Sequence, residues 1–180
     1  MLIVIQGEIC YAIGMENEVT LRPALPEDEG FLWKILYEAI YIPPEEDPPP
    51  PSILSDPEIA RYLTNWGRAH DMGWIAEEID SGKPLGAAWL RLWDDQTQGY
   101  GFYHPDYPEL TIALMPESRG QGIGTHLMER LIEDAQREGY PGISLSVSCR
   151  NPAVRLYERL GFRVIREDAC SVLMVLDFAE

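Results

Sequence analysis

Cysteine and histidine are scarce in this sequence of 180 residues, which holds three of each. Cys10, Cys149 and Cys170 are widely spaced and form no Cys-x-x-Cys pair. We therefore expect buried thiols in a reducing, cytoplasmic compartment rather than a disulfide framework. The histidines share no metal-ligand spacing with each other or with the cysteines, so the residues predict no metal site.

Positive charge is also scarce, because 14 Lys and Arg stand against 30 Asp and Glu, for a formal net charge of -16. Such a surface repels the phosphates of nucleic acids and anionic lipids, so we expect neither as a partner. It would attract a cationic acceptor such as an amine. Solubility is the simpler explanation of the same surplus of carboxylates, because net charge bears on association and solubility more than on chemistry.

Long hydrophobic runs are absent from most of the chain. Residues 1–13 are apolar, but a Gln-Gly-Glu triplet interrupts them, and they have neither a basic start nor a small-residue cleavage site. This segment predicts neither a secretion signal nor a membrane span, and we expect no membrane partner.

A strand-like pattern begins at Val19, after a short polar segment. We therefore predict an N-terminal extension over residues 1–18 and one domain of ordinary size over residues 19–180. Two interpretations of the extension stay open. The natural start could be Met15, or the extension could add an extra hairpin to the domain.

Proline is concentrated in residues 48–51, a run of four that predicts a stiff, extended loop. The loop separates two helical patterns, at residues 27–41 and 55–66. Ser55 and Glu58 have the spacing of a capping box at the start of the second pattern.

The rest of the chain alternates between strand and helix patterns. Apolar residues recur at three- and four-residue steps from Ile123 to Ala135, which predicts an amphipathic helix that ends at Gly139. β-rich runs and a short helix surround it, and together they predict a mixed α/β or α+β sheet. The strands are predicted at residues 73–79, 85–93, 110–115, 143–148, 162–166 and 172–178, and the short helix at 152–160.

A glycine-rich loop, residues 119–124, lies between a strand and the amphipathic helix. A helix start offers free N–H donors and the positive end of the dipole, which suit a diphosphate, and glycines let the backbone approach it. Arg119 can add a charge-assisted hydrogen bond. A dinucleotide fingerprint is excluded because Thr125 stands where the third glycine belongs, and no lysine completes a P-loop. A strand-to-helix turn that binds nothing is the alternative.

The loop resembles motif A of the GCN5-related N-acetyltransferases (GNAT), Arg/Gln-x-x-Gly-x-Gly/Ala, with Arg119, Gly122 and Gly124 at the fixed positions. Residues 151–162 resemble motif B of the same superfamily, at the distance from motif A that the family has. The likeness covers about residues 19–178, and the two motifs together are far more specific than either alone.

The resemblance implies the fold class α/β (α+β), with helices flanking a mixed, mostly antiparallel sheet that is splayed between the fourth and fifth strands. Acetyl-CoA would lie in the splay as co-substrate. The activity implied is transfer of an acetyl (acyl) group from acetyl-CoA to an amine acceptor by direct attack. Family members often dimerise, so a homodimer is a further expectation. The alternatives are a non-catalytic acyl-CoA sensor and a plain interaction module.

The resemblance also assigns residues to the cofactor. Backbone groups around Leu114 and Met115 would pair with the pantetheine arm, and Asn151 would bond to that arm. Asn151 is also a good helix N-cap before Pro152, and both roles can coexist. The diphosphate would be held by the loop from Arg119 onward: Arg119, Gly120, Gln121, Gly122, Ile123, Gly124 and Thr125.

Two residues are candidates for acid–base catalysis. Tyr157 of motif B would give a proton to the leaving thiolate, although it also sits on an apolar helix face and could be core. An alkyl amine with a pKa near ~10.4 must lose a proton before it attacks. Glu109 stands where several family members carry a catalytic glutamate, and Glu77 and Glu78 are rivals. Each carboxylate could also be a solvated strand end.

The acceptor would enter between the first helical pattern and the loop of residues 94–108, which holds three tyrosines, a phenylalanine and a histidine. These rings could form an acidic-rimmed pocket that binds an amine through cation–π contacts. They could equally pack the loop against the domain. No residue names the acceptor. The ring-bearing residues are Tyr100, Phe102, Tyr103, His104 and Tyr107.

Overall fold

The computed structural model describes residues 3–5, 8–13, 17–94 and 96–178, with side chains from Val19 onward. Met15 lies outside the described residues, so a natural start there stays a prediction. None of the described helices is both long and apolar enough to span a membrane.

In the described part of the chain, nine strands form a single sheet in the order β1-β2-β3-β4-β5-β6-β7-β9-β8. The β6–β7 pair is parallel and the other pairs are antiparallel, which confirms the predicted mixed sheet. The strands are β1 (Ile3–Ile5), β2 (Glu8–Ile13), β3 (Asn17–Pro23), β4 (Met72–Glu78), β5 (Pro84–Arg91), β6 (Glu109–Leu114), β7 (Gly142–Ser148), β8 (Arg163–Glu167) and β9 (Ser171–Asp177).

Helices cover both faces of this sheet. They are α1 (Glu29–Ala39), α2 (Pro57–Ala60), α3 (Ile123–Arg137) and α4 (Val154–Arg159). The amphipathic helix α3 places Ile123, Leu127, Leu131 and Ala135 on one face, and all four are fully buried against the sheet. A second core forms under α1 on the opposite face. Burying one leucine side chain contributes about 2 kcal/mol, so these faces orient both helices.

The N-terminal extension forms a hairpin, one of the two interpretations that the sequence left open. β1 pairs antiparallel with β2, and β2 pairs antiparallel with β3, with Ile9 opposite Leu21. The extension thus continues the sheet beyond β3, where the predicted domain begins. Counted from β3, the fourth and fifth strands are β6 and β7.

The helix predicted over residues 55–66 is much shorter, and its capping residue was misassigned. Asp56, not Ser55, is the N-cap, because its Oδ1 accepts a hydrogen bond from the Glu58 N–H at 2.8 Å. The α-helix ends at Ala60 and gives way to turns. Asn65 then adopts a φ of 57°, a left-handed conformation that turns the chain toward β4.

The prediction of buried cysteines is wrong for Cys149 and Cys170, which are both exposed free thiols. They lie just beyond paired strand ends, after Ser148 in β7 and before Ser171 in β9, and the Cys149 N–H donates to the Cys170 carbonyl at 3.2 Å. Strand ends leave the sheet core, so their side chains reach solvent. The side chain of Cys10 lies outside the described part.

The sheet opens between β6 and β7. These strands share one register pair, Glu109 with Ser144, next to a hydrogen bond of 3.1 Å from the Ser144 N–H to the Pro108 carbonyl. Beyond this point β6 continues along β5, and β7 continues along β9. The two halves of the sheet therefore diverge and leave a cleft, as the resemblance implied.

Candidate active site

A cavity of about 500 Å³ occupies the cleft between β6 and β7. Its walls come from both strands, from the α1 side of the sheet and from the segment that leads into α4. The cavity is lined by Leu36, Ala39, Ile40, Tyr41, Ile59, Tyr62, Tyr100, Glu109, Leu110, Thr111, Ile112, Leu145, Ser146, Val147, Ser148, Asn151, Tyr157, Arg166, Asp168 and Ser171.

The strand alternation gives the cleft two chemically different faces. Leu145 and Val147 of β7 and Leu110 of β6 belong to the core under α3. The residues between them point to the opposite face of the sheet, toward α1. That face carries polar side chains, which are Glu109, Thr111, Ser146 and Ser148.

Glu109 is the most confined titratable group of this cavity, with 3% of its surface exposed. The Tyr62 hydroxyl and the Gly101 N–H both donate to its Oε1 at 2.8 Å, and the Trp93 indole N–H donates to its Oε2 at 2.7 Å. The Tyr62 oxygen in turn accepts a hydrogen bond from the Tyr100 N–H at 2.5 Å. The carboxyl group is therefore held in a single orientation.

Burial raises the pKa of Glu109 from 4.5 to about 7, while the hydrogen bonds from Tyr62, Gly101 and Trp93 oppose that rise. At neutral pH the carboxyl group is therefore divided between its protonated and ionised forms. A group that titrates near the working pH is suited to accept and release a proton.

Sequence reasoning found Glu109 but missed the residues that hold it. Tyr62 lies in the turns after α2, and Trp93 follows β5. Gly99 and Gly101 let the loop lie directly over the carboxyl group, because a Cβ at either position would collide with Glu109. This pair of glycines in an aromatic loop was the signal from which the cover over Glu109 could have been predicted.

The rival carboxylates lie outside the cavity. Glu77 accepts a hydrogen bond of 2.8 Å from the Arg22 guanidinium, and Glu78 accepts one of 2.5 Å from the Ser81 hydroxyl. Both belong to β4, which β5 separates from β6. Both lie at the end of β4, next to the β4–β5 turn, where their hydrogen bonds hold neighbouring parts of the sheet together.

Tyr157 of α4 lines the same cavity and is 7% exposed. Its ring packs against Phe162 with a centroid distance of 5.9 Å, so the core role and the cavity role coexist. Burial raises the pKa of Tyr157 to about 12. The hydroxyl therefore keeps its proton at neutral pH, and within the described residues it donates to no acceptor.

Asn151 also lines the cavity and stabilises the entry into α4. Its Oδ1 accepts a hydrogen bond of 2.9 Å from the Ala153 N–H in the turn before α4. The expectation that Asn151 is the helix N-cap is wrong, because the helix begins later, at Val154, and its N-cap is Ala153. The amide nitrogen of the same side chain can still donate to a ligand.

The glycine-rich loop lies at the end of β6 and outside the lining of the cavity. Gly120 and Gly122 have φ values of 77° and 84°, in the left-handed region, and open space surrounds the Cβ position of each. The N–H groups of residues 120–124 donate to no acceptor in the described part of the chain. The Thr125 N–H, by contrast, donates to the Gly122 carbonyl at 3.0 Å.

Arg119 is tied to α1 in this structure. Its guanidinium donates to Glu38 Oε2 at 2.6 Å and to the Leu114 carbonyl at 3.1 Å, and the side chain is half exposed. The motif arginine therefore lies beside the loop, as predicted, but it has a carboxylate partner that the sequence did not reveal.

The expectation for Met115 is wrong for its N–H, which donates to the Leu85 carbonyl at 2.9 Å and is not free for pantetheine. The Met115 carbonyl accepts from the Ser118 N–H at 2.9 Å. Because backbone groups alternate along a strand, those of Ile112 and Leu114 point away from β5 and into the cleft. By this alternation the Leu114 N–H faces the cleft, whereas the Leu114 carbonyl accepts from Arg119 Nε at 3.1 Å.

The aromatic loop contributes one ring to the cavity, that of Tyr100. The rings of Tyr103 and Tyr107 pack edge to face at 5.0 Å, and the Tyr107 hydroxyl donates to Asp177 at 2.8 Å. Phe102 packs into the core under α1. Most of these rings therefore hold the loop against the sheet, the second of the two interpretations offered above.

The whole arrangement agrees with one known family. Residues 33–162 match the acetyltransferase (GNAT) family. The chain belongs to this family. The match includes both motifs, Glu109 and the strands that form the cleft.

Individual relatives support the same assignment. The chain is similar to mycothiol acetyltransferases of Mycobacteroides abscessus (29% identity over 161 residues, 88% of this chain and 50% of that one) and Brachybacterium faecium (41% over 58 residues, 32% and 18%). It thus spans half the length or less of these relatives.

Solved structures of GNAT proteins show the same fold. The GNAT domain of S. lividans PAT matches with a TM-score of 0.71 at 16% identity, covering 95% of this chain and 97% of that one. An acetyltransferase of Salmonella typhimurium, solved with its cofactor acetyl-CoA, matches with a TM-score of 0.64 at 21% identity, covering 90% and 95%.

Proposed function

We propose that this GNAT chain is an N-acetyltransferase that moves an acetyl group from acetyl-CoA to an amine by direct attack. One observation carries the proposal. A carboxyl group with a pKa of about 7, Glu109, and a protonated phenol, Tyr157, line one cavity at the point where the sheet opens. Such a transfer needs a base to take a proton from the attacking amine and an acid to give one to the leaving sulfur, and these two residues can fill those roles.

The residues around the cleft fit acetyl-CoA. The free N–H groups of residues 120–124 and the open space before Gly120 and Gly122 suit a diphosphate at the start of α3. The Leu114 N–H and the Asn151 amide can bond to the pantetheine arm along the cleft. The Salmonella structure, which contains acetyl-CoA, supports the choice of co-substrate.

Glu109 would accept the proton that the amine must lose. A free alkyl ammonium has a pKa near ~10.4, and its transfer from water into the cavity lowers that value toward the pKa of Glu109. The hydrogen bonds from Tyr62, Trp93 and Gly101 keep the carboxyl group oriented while it gains the proton, directly or through a water.

Tyr157 would act on the leaving side. Acetyl-CoA supplies the acetyl group as a thioester, and the transfer forms a carbon–nitrogen bond as the carbon–sulfur bond breaks. Glu109 has taken the first proton of the ammonium group, Tyr157 donates its proton to the departing sulfur, and the second proton that the nitrogen loses as the amide forms passes to solvent. The products are an amide and the coenzyme thiol, and solvent returns the two side chains to their starting protonation states.

Replacing Tyr157 by Phe tests this assignment. We expect kcat in a thiol-release assay to fall about a hundredfold, because a positioned general acid contributes at least that much. The Kd of coenzyme A should change little, since the Tyr157 hydroxyl is assigned to the leaving group rather than to binding. Tyr37→Phe is the matched control, because that hydroxyl donates to the Pro49 carbonyl and does not line the cavity. Undiminished turnover in Tyr157→Phe would remove this tyrosine from the mechanism.

Other expectations from the sequence remain part of the proposal. They are a cytoplasmic location, an amine acceptor that is neither nucleic acid nor membrane, and a homodimer. The chain covers half or less of the mycothiol acetyltransferases, so mycothiol synthesis is not proposed as its role.

A further inference from the structure

The α1 side of the cavity is an amphipathic chamber, and what we infer from it about the acceptor rests on the proposed function. Its floor is the sheet, where Ser148 of β7 pairs with Ser171 of β9 and hydroxyl groups continue toward β6. Its roof is apolar and aromatic. The floor consists of Thr111, Ser146, Ser148 and Ser171, and the roof of Leu36, Ala39, Ile40, Ile59 and the rings of Tyr41, Tyr62 and Tyr100.

Few charges line this chamber, although the whole chain has a net charge of -16. Apart from tyrosines, the charged or titratable groups among its described lining residues are Glu109, Arg166 and Asp168. The Glu109 carboxyl group already accepts three hydrogen bonds, and it can take up only one proton. Asp168 Oδ2 accepts a hydrogen bond of 3.3 Å from the Arg166 Nε, so its charge is already compensated.

We propose that the acceptor is a monocationic amine whose remaining body is uncharged, with an apolar side for the roof and hydrogen-bonding groups for the floor. Glu109 can receive the proton of one ammonium group. A second ammonium group would reach the rim of the cavity, where Arg166 and Asp168 are both more than half exposed; there it would find the Asp168 carboxylate already paired and would meet the Arg166 charge. We therefore expect polyamines and similar polycations to be poorer acceptors than monocationic amines of the same length.

The acidic surface acts at a different stage. Its field attracts a dication more strongly than a monocation, because the energy of an ion in a potential is proportional to its charge, and it speeds the association of the diamine more. The amines are therefore compared at an ionic strength that screens this field, so that the ratio of kcat/KM reports on the lining of the cavity.

A matched pair of amines tests the proposal. 6-Amino-1-hexanol and 1,6-diaminohexane have the same six-carbon chain and one ammonium group in common. At the other end the first carries a hydroxyl group and the second carries another ammonium group. In a thiol-release assay with saturating acetyl-CoA at fixed ionic strength, we expect kcat/KM to be roughly tenfold higher for the amino alcohol. An equal or higher value for the diamine would overturn the acceptor class and leave the proposed acetyl transfer standing. Release with neither amine would overturn both.

Arg166 offers a second, independent measurement. Arg166→Gln frees Asp168 to bind a second ammonium group, so the ratio of kcat/KM for the diamine to that for the amino alcohol should rise about threefold at low salt, the scale of an exposed ion pair. Arg163→Gln is the matched control, because Arg163 of the same strand pairs with Asp177 outside the cavity. A ratio that Arg166→Gln leaves unchanged would contradict the charge argument.

Discussion

At the scale of single residues, burial and hydrogen bonding act on Glu109 in opposite directions. Burial in the cleft raises the pKa of this carboxyl group, and the donors from Tyr62, Gly101 and Trp93 bring it back to about 7. Either influence alone would give a poor base at neutral pH. The donors therefore act as positioning groups that also set the ionisation of Glu109.

Tyr62→Phe should move the pH dependence of the reaction. The Tyr62 hydroxyl stabilises the ionised carboxylate, so its removal raises the pKa of Glu109 further. A hydrogen bond to a charged group contributes about 1.5 kcal/mol, which corresponds to about one pH unit. We expect the rising limb of kcat/KM, centred near pH 7 in the wild type, to shift upward by about that amount.

The control for this measurement is Tyr107→Phe. Tyr107 also donates to a carboxylate, Asp177 at 2.8 Å, but it lies outside the cavity. Its pH profile should coincide with that of the wild type. If Tyr62→Phe and Tyr107→Phe gave the same midpoint, Tyr62 would have no part in the ionisation of the base.

At the scale of elements, the start of α3 is the feature that separates a cofactor site from an ordinary turn. Gly122 caps the helix in a left-handed conformation and Gly139 follows its end in the same conformation, with φ values of 84° and 80°. Open space surrounds the Cβ position of both residues. A side chain at either glycine would therefore cause the same backbone strain. The two positions differ in that a ligand is expected only beside Gly122.

Gly122→Ala and Gly139→Ala use this symmetry. An alanine in the left-handed region costs about 1 kcal/mol, so both variants should lose similar stability in denaturant unfolding. A Cβ at Gly122 would enter the space proposed for the diphosphate. By calorimetry we expect Gly122→Ala to weaken coenzyme A binding about tenfold or more, and Gly139→Ala to leave the Kd unchanged. If both variants bound coenzyme A with the same Kd, the proposed diphosphate site at this loop would be wrong.

At the scale of the whole molecule, Glu109 couples the proposed chemistry to folding stability. Its pKa rises from 4.5 in the unfolded chain to about 7 in the folded protein, so the folded state holds the proton more tightly. Stability from this group is complete below pH 4.5 and is lost as the pH rises through 7. The loss amounts to about 3 kcal/mol.

Glu109→Gln should flatten this dependence. We expect the free energy of unfolding of the wild type, measured by urea denaturation between pH 5 and 8, to fall with rising pH more steeply than that of the variant. The slope is the relevant readout, because the amide of Gln would face the Trp93 donor and lower stability at every pH. Parallel slopes would show that Glu109 does not carry a raised pKa.

Much of the fold followed from local patterns. The helix from Ile123, the hairpin of β4 and β5 and the terminal strands depend on periodicity and turn residues, which are properties of neighbouring residues. The length of the helix predicted over residues 55–66 was too great. The chain must turn toward β4 after Ala60, and the left-handed conformation of Asn65 and the turns before it serve that change of direction. The exposure of Cys149 and Cys170 depends on where β7 and β9 end. The amino-acid composition, from which the burial was predicted, carries no information on strand ends.

The sequence by itself determined the family, the glycine-rich loop, and the identities of Glu109, Asn151 and Tyr157, because motifs are short and their spacing is written in the chain. Only the tertiary structure decided that Tyr62, 47 residues before Glu109, donates to it, and that Met115 is already bonded. It also decided which charged side chains line the cavity. Such contacts join distant segments, and their geometry arises only when the strands pair and the sheet opens.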